Sequence, residues 1–150
     1  MRGLGFHVSA ALLVWAGCAL AAGCSSQEQE TSYKTLSAAE SAGAVYRGWI
    51  PPWLPVHAHN LKEKHDLDTA RSMVRFNFPA AEKWEVPSTC SQVLPSRIPG
   101  PGMAASWWPG DVPAPAIVTP RHAYFTCAGA SEFLAVDFSG GEGFYWRVVR

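Results

Sequence analysis

Three stretches near the C-terminus decide the fold: His122-Ala123-Tyr124-Phe125-Thr126-Cys127, Glu132-Phe133-Leu134-Ala135-Val136-Asp137-Phe138 and Phe144-Tyr145-Trp146-Arg147-Val148-Val149. Each is rich in aromatic and β-branched residues, which suit a pleated, half-buried surface. Ala128-Gly129-Ala130-Ser131 and Ser139-Gly140-Gly141-Glu142-Gly143 separate them. Connections this short join neighbouring strands antiparallel, as a meander. The glycine-rich connection is no phosphate cradle, because it joins two strands and no Lys follows it. Upstream, Val74, Phe76 and Phe78 alternate with polar residues and predict a fourth strand over 72–78.

Between and before these strands the signals are shorter. Leu36, Ala39 and Ala42 recur at three-residue steps and predict a short helix that Gly43 stops. Ser88–Val93 fits a second short helix with Ser88 as N-cap, and Asn60–His65 a brief helical turn. Seven of the twelve prolines fall between Pro95 and Pro120, so that segment is expected to be an irregular loop. The expected fold class is α+β: a four-stranded antiparallel sheet, a meander at the C-terminus, with one or two short helices. A single domain spans 33–150.

Composition limits the function. Lys+Arg and Asp+Glu are equal at 12 each, which argues against a nucleic-acid partner because such proteins carry a basic excess. With 48% apolar residues the chain can collapse around a core. Part of that excess is local. Arg2 is the only charged residue before Cys24, and Ala10–Ala16 is continuously apolar, as in an export signal. The run ends at Leu20-Ala21-Ala22-Gly23-Cys24-Ser25-Ser26.

Small residues followed by Cys resemble the lipobox of bacterial lipoproteins. The resemblance implies cleavage of residues 1–23 as a signal peptide and lipidation of Cys24, with a membrane anchor and palmitate-type acylation. Where that family favours Leu, this chain has Ala21. Cys18 is the second candidate, after Ala16-Gly17. Acyl chains would hold the protein to a membrane at about 0.8 kcal/mol per buried CH₂. The polar stretch 24–32 then reads as a flexible tether. The expected location is the bacterial cell envelope, facing the periplasm or the exterior.

Two further cysteines, Cys90 and Cys127, would survive cleavage and read as one disulfide in an oxidising compartment. Closing that loop stabilises by about 3–4 kcal/mol on the chain-entropy view. A second resemblance rests on Arg47-Gly48-Trp49-Ile50-Pro51-Pro52-Trp53-Leu54-Pro55, His65-Asp66-Leu67-Asp68-Thr69 and Arg75-Phe76. These are similar to a family of small uncharacterised bacterial lipoproteins, which implies export but no catalytic residue.

Candidate chemistry is sparse. His57, His59, His65 and Asp66 are weak metal-ligand candidates, since imidazoles and carboxylates are zinc and copper ligands, yet their spacing matches no metal motif. No Gly-x-Ser-x-Gly occurs, and nothing in the spacing of His122 and Asp137 selects a catalytic triad. Trp107 and Trp108, adjacent to Pro109, form a candidate binding surface, because exposed aromatics beside Pro suit partner proteins and sugar rings. The expected function is a membrane-anchored, non-enzymatic binding domain for a protein or cell-wall partner, with no cofactor. The alternatives are a periplasmic inhibitor or immunity lipoprotein, and a metal-binding protein using the 57–65 segment.

Overall fold

Seven strands hydrogen-bond into one antiparallel sheet in the computed structural model, which describes residues 27–114 and 121–149. The strands are β1 (Glu28–Thr35), β2 (His59–Asp66), β3 (Arg71–Asn77), β4 (Ser91–Val93), β5 (Ala123–Cys127), β6 (Glu132–Asp137) and β7 (Glu142–Arg147). Their spatial order is β1-β2-β3-β7-β6-β5-β4. Two meanders, β1 to β3 and β5 to β7, thus meet where β3 pairs with β7, from Ser72 opposite Arg147 to Asn77 opposite Glu142. The expected signal peptide 1–23, Cys18, Cys24 and residues 115–120 of the expected loop lie outside the described residues.

The expected four-stranded α+β arrangement is overturned. The four strands read from sequence are present as β3, β5, β6 and β7, but β1, β2 and β4 extend the sheet at both sides. Among the described residues the only α-helix is α1 (Leu36–Ser41), beside two single 3₁₀ turns at Pro95–Arg97 and Ala128–Ala130. No helix there is long and apolar enough to cross a membrane. Thr35 caps α1 by accepting a hydrogen bond from the Ala38 N–H at 3.2 Å.

Each missed strand has a physical reason. Strand β1 starts at Glu28, inside the stretch 24–32 expected to be a tether. As an edge strand it is held by backbone pairing with β2, and all its side chains except Tyr33 are exposed. Strand β2 replaces the expected turn at 60–65. It does alternate, with Leu61, Glu63 and His65 buried on one face, but two of those three are ionisable. Strand β4 replaces the expected helix at 88–93. The Cys90–Cys127 disulfide is present and delivers Ser91–Val93 alongside β5, opposite Thr126, Phe125 and Tyr124.

Both faces of the sheet are covered, so the central strands have no solvent side. On one face Leu61, Val74, Phe76, Leu134, Val136 and Tyr145 pack under Leu36, Ala39, Ala44, Ile50, Leu54 and Ala58. On the other, Met73, Tyr124, Phe133, Phe144 and Trp146 pack under Ile98, Trp107, Val112 and Ala114. The proline-rich segment 94–114 is therefore a second layer of the core.

Gly143 sits opposite Phe76 in the central pair, and a Cβ there would overlap the Phe76 ring. Phe76 is fully buried and Gly143 is buried opposite it, so the ring has no room to yield. Gly143→Ala is expected to destabilise the fold by about 1–3 kcal/mol, read as a lowered midpoint in denaturant unfolding. An unchanged midpoint would contradict this packing.

Candidate functional site

The proline-rich layer is fixed to the sheet by side chains that satisfy its carbonyls. Trp146 Nε1 donates to Pro99 O at 2.9 Å, Lys64 Nζ to Ala104 O at 2.7 Å and Arg71 Nη1 to Gly102 O at 3.4 Å. Trp107 is buried and its Nε1 donates to Glu30 Oε1 on β1 at 2.6 Å. Trp108 is half-buried, packed edge-on against Phe144 and Trp146 with centroids 5.2 and 5.6 Å away. Its Nε1 donates to Val112 O at 2.9 Å. The Trp pair is thus part of the packing, and its half-exposed member borders a cleft.

That cleft has a volume of about 390 Å³ and is walled by Trp108, Phe144, Arg75, Glu142, Arg121 and His122, with Asp111 at its rim. Arg75 projects from β3 and Phe144 and Glu142 from β7 on the same face of the sheet, because Arg75 and Phe144 are register partners. Glu142 Oε1 accepts from Arg75 Nε at 2.9 Å and Nη2 at 2.6 Å, and Glu142 Oε2 accepts from Arg121 Nη2 at 2.8 Å. Arg121 Nε lies 3.1 Å from Asp137 Oδ2. The Ser139 hydroxyl, the Gly140 amide and Arg121 together hold the Asp137 carboxyl below the usual range, so it is ionised at neutral pH.

The cleft therefore carries two guanidinium groups against two carboxylates, those of Glu142 and Asp111, and Asp137 pairs with Arg121 from outside its lining. His122 is buried between Tyr124 and Phe144, with centroids at 6.3 and 5.5 Å. Burial, and then the charge of Arg121, hold its imidazole below the ordinary range, so it is neutral. Its Nε2 has no hydrogen-bond partner among the described residues. Chemically, the arrangement offers alternating donors and acceptors around aromatic surface.

The proposed metal-ligand residues do not converge. His57 is exposed, 3.5 Å from Glu82 Oε1, and His59 Nδ1 donates to His57 O at 3.1 Å. His65 is six residues further along β2, about 20 Å away at strand rise. Asp66 points to the opposite face from His65 and closes a turn, accepting from the Asp68 N–H at 2.9 Å and the Thr69 hydroxyl at 2.6 Å. Among the described residues no three His, Cys, Asp or Glu side chains form a metal cluster.

A buried pair went unread in the sequence. Glu63 and His65 are both buried on the face under α1, with Nδ1 of His65 2.8 Å from Glu63 Oε1. Trp49 stacks on the imidazole at 3.6 Å, and Arg47 lies over Trp49 at 4.8 Å. Burial, helped by the charge of Glu30, pushes the Glu63 carboxyl up to about 8. Burial and Arg47 hold His65 below its ordinary value, against the pull of Asp66. The signal that could have found the pair is the alternation Leu61, Glu63, His65.

Among comparisons with known proteins, residues 27–77 match the family model of the YbbD head domain. The match covers β1, α1, β2 and β3, including the Glu63–His65 pair and Arg75, and ends with the last residue of β3. Strands β4 to β7 and the proline-rich layer fall outside it. No curated protein and no solved structure matches the chain.

Glu63 makes stability depend on pH. Its folded value of about 8 lies above its ordinary 4.5, so the native state holds a proton that the unfolded chain releases. Stability contributed by this group is complete below pH 4.5 and is lost as pH rises through 8. His65, held below its ordinary 6.5 in the fold, is partly protonated only in the unfolded chain near pH 6.5 and opposes the Glu63 slope weakly there. Unfolding free energy is therefore expected to fall by about 1–2 kcal/mol between pH 6.5 and 8, and Glu63→Gln to flatten that slope. A slope identical in both proteins would show that Glu63 is ionised in the fold.

Proposed function

We propose that this protein is a lipid-anchored component of the bacterial cell envelope, held at Cys24, whose domain binds a cell-wall glycan in the Trp108 cleft without catalysing a reaction. The anchor is supported by the lipobox-like run Leu20–Cys24 after an apolar stretch. A disulfide between Cys90 and Cys127 is in keeping with an oxidising, extracytoplasmic setting. The observation that carries the ligand reading is the charge pattern of the cleft. Both guanidinium groups are already engaged by internal carboxylates and the charges of the lining balance, so an anionic ligand would find no free cation there. A neutral polyhydroxylated ring instead needs paired donors and acceptors beside an aromatic surface, which Arg75, Arg121, Glu142 and Trp108 supply.

Two measurements test this reading. Metabolic labelling with palmitate is expected to mark the native chain and to fail with Cys24→Ser. Soluble glycan fragments from muramidase-digested cell wall, titrated by calorimetry, are expected to bind the wild type. Arg121→Gln changes a side chain that is 65% exposed, so the fold should keep its melting temperature. That variant is expected to weaken binding about tenfold, equivalent to about 1.4 kcal/mol. A wild type that binds no fragment would sink the glycan reading, whatever the labelling shows.

A further inference from the structure

The opposite end of the sheet from the cleft is where the chain comes in from Cys24. Glu28 begins β1 and pairs with Asp66 at the end of β2, Asp66 pairs with Arg71 at the start of β3, and Ser72 pairs with Arg147 at the end of β7. The Leu67 amide donates to Gln27 O at 3.4 Å. Cys24 is three residues before Gln27, so even a fully extended link leaves it within about 15 Å of Leu67. Lipid at Cys24 would therefore hold this end of the sheet at the bilayer surface.

A crevice of about 120 Å³ wraps around that end, lined by Arg47, Trp49, Asp66, Leu67, Arg71 and Arg147. Three arginines thus share one small space. Each gives an N–H to a backbone carbonyl: Arg47 Nη1 to Ala42 at 3.0 Å, Arg71 Nη1 to Gly102 at 3.4 Å and Arg147 Nε to Ala70 at 3.0 Å. None of the three lies within ion-pair distance of a carboxylate among the described residues. Arg71 Nε is buried without a hydrogen-bond partner there. A buried guanidinium N–H without an acceptor is costly, and a phosphate oxygen is its natural acceptor.

The acidic groups at this end are outnumbered by them. Asp66 lines the crevice as one negative charge that feels Arg71, accepts from the Asp68 amide and the Thr69 hydroxyl, and stands against three arginines, while Glu28 is bridged to Lys64 at 2.8 Å. Asp68 and Glu132 do not line it. Large apolar side chains are exposed beside the arginines: Tyr46 at 95%, Leu67 at 49% and Val149 at 47%. Tyr and aliphatic residues next to cations are the composition of a membrane interface.

We propose that Arg47, Arg71 and Arg147 receive the phosphate of an anionic lipid headgroup in the bilayer that holds the anchor, with Leu67, Tyr46 and Val149 resting at the interface. The docking rests on lipidation at Cys24, as the anchor alone brings the crevice to the headgroups. It sets the orientation of the domain, because the cleft lies at the far ends of the same strands, β3 and β7.

Hydrogen exchange on the full lipidated chain in nanodiscs tests it. Backbone amides of 46–49, 67–71 and 147–149 are expected to exchange about threefold or more slowly in phosphatidylglycerol discs than in zwitterionic phosphatidylcholine discs. The paired substitution Arg71→Gln with Arg147→Gln is expected to erase the difference while the chain stays on the disc. Arg47→Gln, at an exposed side chain, is expected to reduce it without loss of melting temperature. Equal exchange in both discs overturns the docking and leaves the anchor standing. A chain that does not partition into discs overturns the anchor and the docking with it. The same slowing in detergent with added inorganic phosphate would make this a free-anion site and overturn the lipid assignment.

Discussion

The pairing of β3 with β7 is the constraint on which the rest depends. Their residues are far apart in the chain, yet the six register pairs from Ser72–Arg147 to Asn77–Glu142 join one three-stranded meander to the other. Each meander alone would leave an unpaired row of backbone groups along its inner edge. Once joined, both strands lie in the middle of the sheet, buried on both faces, so each face needs a cover. Residues 36–58 cover one and 94–114 the other. A segment so rich in proline cannot offer a helix or strand for that purpose. Its own carbonyls must be satisfied from outside, which is why Trp146, Lys64 and Arg71 reach up from the sheet.

The legible parts of the fold were those in which side chains alone carried the pattern. Strands β5, β6 and β7 are dense in aromatic and β-branched residues, and β3 alternates cleanly. Leu36 to Ser41 shows its small-residue face, although its Thr35 cap was not read. The illegible parts owe their structure to the neighbours. Strand β1 buries almost nothing and exists because β2 offers it a ladder. Strand β2 hides its alternation by placing an acid and an imidazole where Val or Ile would announce a core. Strand β4 is three residues long and is placed by a covalent bond. The cleft was half visible: Trp107 and Trp108 drew notice, whereas Arg75, Arg121 and Glu142 come from three separate places in the chain. The register of β3 and β7 brings Arg75 to Glu142, and Arg121 arrives just ahead of β5, two strands away from β7. The histidines misled for a related reason, as a strand spreads out what a loop could have gathered.

The two ends of the sheet have opposite chemical character. At one, Arg47, Arg71 and Arg147 share a crevice among exposed apolar side chains. At the other, Arg75 and Arg121 are held by carboxylates beside Trp108. The same residue type is left open to an anion in one place and closed to it in the other. The strands β3 and β7 run directly between the two, so their length sets the separation.

The position of β1 has a mechanical consequence. A pull on the cleft, if resisted through the proposed anchor at Cys24, would load β1 from its Glu28 end along the strand axis. The hydrogen bonds to β2 lie across that axis, and seven register pairs from Glu28–Asp66 to Thr35–His59 would share the shear at once. A strand attached by its other end would instead peel open one bond at a time. An exposed edge strand of little thermodynamic weight is thereby the segment best placed to bear a load applied between its Glu28 end and the cleft.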